Sequence, residues 1–205
     1  MSYIGKTPTA VPLTSSDITN GIITTAKIAD DAISAAKLAS GVGGKVLQVV
    51  QGSFATESSL ANGETYTALS TSLDMVITPS ATSSKILICY NFGVIDCDAD
   101  QGAVKIRFKI ASGSYADVTP IGASSHVNEN KGHMGLNHWS ANYRHQAGAS
   151  ITMVHSPSST SALTYTPFFV NASSSGDTFI NRNERFTDAS DPTAPTFFYA
   201  MEIGA

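Results

Sequence analysis

Two hydrophobic periods divide this chain. Residues 13–22, 23–32 and 33–42 each open on an aliphatic residue and carry another at the sixth place: Leu13, Ile18, Ile23, Ile28, Ile33 and Leu38. On a continuous α-helix a step of five leaves a net turn of roughly 140°, so these residues scatter round the cylinder and form no stripe. On a strand an odd step sends successive residues to opposite faces. The pattern instead predicts, for each ten, one extended step plus one helical turn, AKIA or AAKLA. Thr24 or Thr25 and Ser34 would cap these turns, Asp30-Asp31 or Ser40-Gly41 would break them, and both aliphatic residues would face a common axis. The alternative is a plain helix with a seam of Ile22, Ala26, Ala29, Ile33 and Ala36. Either form needs partners. Full burial of the aliphatic ladder supplies about 10 to 15 kcal/mol, whereas ordering the segment costs about 1 to 2 kcal/mol per residue in backbone entropy alone.

Beyond Gly41-Val42-Gly43-Gly44 the period becomes that of strands. In AVKIRFKI, Val104, Ile106, Phe108 and Ile110 alternate with Lys105, Arg107 and Lys109, a dry face opposite a wet one. SKILICYNFGVI, residues 84–95, is apolar on both faces, which predicts a strand buried on both sides or covered by a neighbouring subunit. KVLQVVQGSF, ETYTAL, SLDMVITP, ASITMVHS, ALTYTPFFV and TFFYAMEI supply further strands, with Pro167 expected at an edge or a bulge. Clusters such as PSATSS, DADQG, SPSSTS, NASSSGD and DASDPTAP punctuate them. The expected fold is mainly β: an antiparallel β-sandwich or jelly-roll head, residues 45–205, behind an extended arm, 1–12, and a short repeat stalk, 13–44. Tyr90, Phe92, Phe197 and Tyr199 are candidates either for a threefold axis or for the sandwich core.

Composition narrows the class. Only 14% of the 205 residues are charged, against roughly 25% in ordinary soluble domains, so the surface is rich in uncharged polar and small residues. A net charge of -4 offers no electrostatic footprint for nucleic acid or an anionic membrane. No apolar run is long enough to span a bilayer, and MSYIGKTPTAVPL lacks the pattern of a signal peptide. Cys89 and Cys97 are expected as free thiols, a bridge across a turn being the alternative.

Candidate chemistry is thin. DCDADQG places Asp96, Asp98 and Asp100 at EF-hand positions, but Gln101 stands where glycine is needed and Arg107 where glutamate is, so an EF-hand is excluded and a solvated acidic turn expected. His126, His133, His138, His145 and His155 show no ligand spacing. No nucleophile elbow, P-loop or dinucleotide fingerprint occurs, and the acids fall in turns. The expectation is a protein that is not an enzyme and holds no cofactor or metal. HMGLNHWSANYRHQ is the most distinctive segment; His138, Trp139, Tyr143 and Arg144 are candidates for surface recognition, with anchorage of a long loop or a sister-subunit contact the alternative.

MSYIGKTP followed by decads of the form I-T-x-A-K-[IL]-A-D resembles the N-terminal region of fibre and head-fibre virion proteins of tailed phages, especially those of cyanobacteria. VLQVVQGSF, ITPSATSSKILI, TYTPFFVNASSSGDTFINR and FFYAMEIGA are similar to the jelly-roll heads on such stalks, akin to tumour-necrosis-factor-like and complement-type trimeric heads. The resemblance implies a homotrimer at the virion surface. In that picture Tyr3, Ile4, Pro8 and Pro12 dock on the major capsid protein or tail proteins, and the head decorates, cements or contacts the host surface and its glycans. A receptor-binding tail fibre and a secreted trimeric lectin-like module are the alternatives.

Overall fold

The structure is a computed structural model of the chain, and it describes residues 14, 20, 21, 23–29, 32–34, 37, 45–61, 63–97, 102–120, 132–136, 147–171, 176–182 and 193–204. The chain divides into two units, Met1–Gly43 and Gly44–Ala205. In the first unit, hydrogen bonds from Lys27 N to Thr24 O (2.9 Å), Ala32 N to Ala29 O (3.1 Å) and Lys37 N to Ser34 O (2.9 Å) each close a single turn. The first of these is a 3-10 turn at Thr25–Lys27. The turns start at residues 24, 29 and 34, so the structural repeat is five residues, half the length expected from the sequence. Each turn follows one isoleucine, Ile23, Ile28 or Ile33, and these three are 54%, 38% and 51% exposed. Short turns of this kind leave the aliphatic ladder without cover within one chain, as the entropy comparison anticipates.

The second unit is a sandwich of two antiparallel sheets. Its described strands are β1 (Val46–Phe54), β2 (Ser58–Ala61), β3 (Gly63–Ala68), β4 (Met75–Ile77), β5 (Lys85–Cys97), β6 (Gly102–Ile110), β7 (Ala116–Asp117), β8 (Met134–Leu136), β9 (Ala147–His155), β10 (Leu163–Asn171), β11 (Asp177–Ile180) and β12 (Thr196–Ile203). The first sheet runs β1-β12-β5-β11-β2, with β9 also on β5; the second runs β3-β10-β6-β7, with β4 on β10 and β8 on β6. Period-two alternation aims Ile86, Ile88, Tyr90 and Phe92 of β5 and Phe198 and Ala200 of β12 into the core, where they meet Val104 and Ile106 of β6 and Leu163, Tyr165 and Phe169 of β10. Tyr90 stacks on Phe198 at 5.2 Å between centroids. Gly52 makes room for this: a Cβ there would lie 2.4 Å from the Phe198 ring. Tyr90 and Phe92 thus belong to the core.

One expectation changes and one alternative falls. β10 is an interior strand, pairing with β6 along its whole length, Pro167 opposite Ile106. On its other side the pairing with β4 ends at Tyr165 and that with β3 begins at Phe168, so Pro167 falls in the gap between two short neighbours. That gap is where a residue without an N–H disturbs the ladder least. A turn bridge between the cysteines is also excluded, because Cys89 and Cys97 lie on one extended strand and are free and buried.

Asn181 closes one end of the sandwich. Its backbone takes φ 64°, the left-handed region that Asn tolerates better than most residues. Its N–H donates to Val94 O at 2.8 Å. The side-chain amide donates to Phe54 O (2.7 Å) and Thr56 O (2.9 Å), and its oxygen accepts from Thr196 Oγ1 (2.8 Å). β1, β5 and β12 are tied at one fully buried residue. Asn181→Gly keeps the backbone conformation and removes the side-chain ties, so it is expected to lower stability by about 2 to 3 kcal/mol. Urea unfolding measures this, and an unchanged midpoint would show that the ties add nothing.

Candidate functional site: the outward faces of the two sheets

The outward face of the first sheet is apolar at one end. Register places Val49 of β1 opposite Met201 of β12, Met201 opposite Leu87 of β5, and Leu87 opposite Val154 of β9, one unbroken row across four strands. Val49 is 53% and Val154 49% exposed, and Val46 and Leu47 extend the patch toward the start of β1. The next row, Gln51, Tyr199, Cys89 and Thr152, is mixed, and the third, Ser53, Phe197, Asn91 and Ser150, is polar around an exposed Phe197. In the mixed row the Cys89 thiol lies 3.4 Å from Thr152 Oγ1. A hydrogen bond with that thiol raises the Tyr199 pKa. Phe197 and Tyr199 therefore point outward, away from the core. A contiguous apolar face of this kind marks a contact surface.

On the inward side of the same strand, Glu202 is fully buried. Its Oε1 accepts from Ser80 N (2.7 Å), Ser80 Oγ (2.7 Å) and Ser84 Oγ (2.6 Å), and its Oε2 from Gln48 Nε2 (2.5 Å). Burial pushes its pKa upward, but the hydrogen bonds from Ser80, Ser84 and Gln48 outweigh it and hold the carboxyl down at about 2. The loop between β4 and β5 is thereby fastened to β12 and β1.

The outward face of the second sheet is of opposite character. Lys105 and Arg107 both approach Asp117, at 3.1 and 3.0 Å. Lys105 sits 4.1 Å over the Tyr66 ring, Arg107 4.9 Å over Phe168 and Lys109 4.8 Å over Tyr115. Burial and the Asp117 charge raise the Tyr66 phenol to about 12. His133 staples the strand beside it: Ile106 N–H donates to Nδ1 at 2.8 Å, and Nε2 lies 2.8 Å from Val118 O, which requires a neutral ring protonated at Nε2. Burial lowers its pKa despite the upward pull of the Val118 carbonyl. His155 is likewise lowered by burial, with Nδ1 2.8 Å from the Tyr165 hydroxyl. Both described histidines thus have packing roles.

Ile23, Ile28 and Ile33 are described and exposed. Tyr3, Ile4, Pro8, Pro12, Leu13, Ile18 and Leu38 lie outside the described residues, as do His138, Trp139, Tyr143 and Arg144. Asp96 of DCDADQG is buried and its Oδ1 accepts from Cys97 N at 2.8 Å, while 98 and 100 lie outside the described residues. Sequence reasoning did not single out the Val49-to-Val154 row, whose signal was the excess of apolar residues at outward positions of β5 and β12. It also passed over Glu202, for which a lone acid in an apolar strand was the only sign.

No family model matches the chain, and no curated protein matches it. Among solved structures it is similar to the crystal structure of the infectious bursal disease virus VP2 subviral particle, with 10% identity and a TM-score of 0.34, over 77% of this chain and 37% of that one. The chain thus spans well under half the length of that capsid protein, and no residue role carries over from it.

Proposed function

We propose that this chain is a structural protein of a tailed-phage virion, a homotrimeric short fibre or capsid decoration protein. Residues 1–12 dock on the particle, 13–44 zip three copies together, and the β head stands on the virion surface. It works by contact, without catalysis. The observation that carries the self-association is the apolar row Val49, Met201, Leu87 and Val154, too large a patch to leave in water. The chain enters the head at Lys45, beside Val46 and Leu47 of that same apolar end, with Gly204 N donating to Lys45 O at 2.6 Å. The exposed Ile23, Ile28 and Ile33 are a second apolar set that association of copies would cover. The virion reading is supported by the resemblance of MSYIGKTP and the decads to phage fibre proteins, and by a surface poor in charge.

Sedimentation equilibrium of the full chain at micromolar concentration tests the core of this. The expected mass is three times 21.4 kDa, and a well-folded monomer overturns the reading. Deleting residues 1–12 is expected to leave the trimer intact and abolish incorporation into particles. Undiminished incorporation would remove the docking role of the arm.

A further inference from the structure

We propose that the outward face of the second sheet binds an acidic polysaccharide. The described Lys and Arg of the head are Lys45, Lys85, Lys105, Arg107, Lys109 and Arg182, and half of them stand at alternate positions of β6. Alternation sets these three on one face, about 6.6 Å apart along the strand. Each is seated on a ring from a neighbouring segment, Tyr66, Phe168 or Tyr115. A cation held in this way has already given up much of its freedom, so binding an anion costs less ordering. The acids nearby offset the row only in part, and the side chains of Lys105 and Arg107 are 13% and 28% exposed. Asp117 is shared between Lys105 and Arg107, Asp74 accepts from Thr166 Oγ1 at 2.5 Å, and Lys109 has no acidic partner among the described residues.

The remaining side chains select a sugar over a protein. Thr164 of β10 stands opposite Lys109 and is partly exposed, and the Tyr115 hydroxyl lies 3.0 Å from the Oγ1 of buried Thr166, so the face offers hydroxyl groups of Thr164 and Tyr115 beside its cations. Apart from Val76, 53% exposed on the adjoining β4, its described outward residues include none of the exposed aliphatic anchors that the core of a protein interface needs. A polymer carrying regularly spaced carboxylates and many hydroxyls matches this chemistry. All the residues belong to one chain, so the inference stands apart from trimerisation, which sedimentation decides separately.

Titration calorimetry of the full chain with an oligogalacturonate tests it. A neutral malto-oligosaccharide, a polyglutamate and an oligothymidylate, all of matched length, serve as comparisons. Salt-sensitive binding of the oligogalacturonate is expected, weakened about tenfold or more by Lys109→Glu. Lys45→Glu, the same charge change elsewhere, is expected to leave affinity unchanged. The Lys109 variant should melt as the parent does, since its described side-chain contact is with Tyr115 alone. The proposal is overturned if oligogalacturonate does not bind, or if Lys109→Glu leaves its affinity intact. Equal binding of the neutral sugar overturns it too, and tighter binding of polyglutamate or oligothymidylate assigns the face to an acidic protein or a nucleic acid instead.

Discussion

Replacing Glu202 with alanine is expected to lower the stability of the head by about 3 to 5 kcal/mol, a large share of the roughly 5 to 15 kcal/mol that holds a domain together. The size follows from what is left behind. Ser84 Oγ, Ser80 N and Gln48 Nε2 lose a charged acceptor at 2.5 to 2.7 Å, and a cavity opens at a fully buried position. Gln48 cannot simply turn elsewhere, because the same amide group already donates to Thr78 O at 2.6 Å. Glu202→Gln fits the space but sets its own amide hydrogens against donors, and about 2 to 3 kcal/mol is expected. The pH dependence has a definite sign. Hydrogen bonding depresses the folded-state pKa from 4.5 to about 2, so the stabilisation is fully present above 4.5 and is lost as pH falls toward 2. Urea midpoints of parent and Gln variant should therefore converge over that window. A constant difference from neutral pH down to 2 would show that the carboxylate's charge is not what the network holds.

Much of the sandwich was legible from alternation. The strands around VLQVVQGSF, KILICYNFGVI, AVKIRFKI and TFFYAMEI appear where apolar and polar residues change sides. β2, β7, β8 and β11 were not visible, because strands of two to four residues contain too few repeats to establish a period. The five-residue turn repeat was half seen: aliphatic spacing gave its period, but the ten-residue frame allowed one turn per ten, without the hydrogen bond from Ala32 N to Ala29 O. TFFYAMEI was misleading for a different reason. Its outward set, Phe197, Tyr199, Met201 and Ile203, is more apolar than its inward set, which includes Ala200 and Glu202. Alternation identifies a buried face only when the other side is polar, and β12 is apolar on its outward side too. The acidic polymer face was half legible: the cations of β6 are plain in the sequence, but the rings beneath them come from 39 and 61 residues away or from the far side of a turn, and only the fold brings Tyr66 and Phe168 to Lys105 and Arg107.

Leu87→Glu is expected to convert the assembly to folded monomers. Leu87 points outward from the centre of the first sheet, between Met201 and Val154, and in a single chain it is partly exposed. A carboxylate there reaches water in the monomer, so the cost to the isolated head is about 1 kcal/mol, the value of lost cross-strand pairing. In the proposed trimer the same group would be enclosed beside Val49, Met201 and Val154, with no cation in the row. Burying it unpaired costs several kcal/mol, and the apolar burial of leucine, about 1.5 to 3 kcal/mol, is lost as well. Even about 3 kcal/mol per copy weakens each association step by roughly a hundredfold. Val76→Glu is the control: Val76 is an outward aliphatic residue, 53% exposed, on β4 in the second sheet, so it should leave the mass unchanged. Sedimentation equilibrium and the unfolding midpoint read the two effects separately. A Leu87→Glu protein that keeps the parent mass would show that the row stays open to water in the assembly, and three-chain contact would then have to reside in residues 13–44 alone.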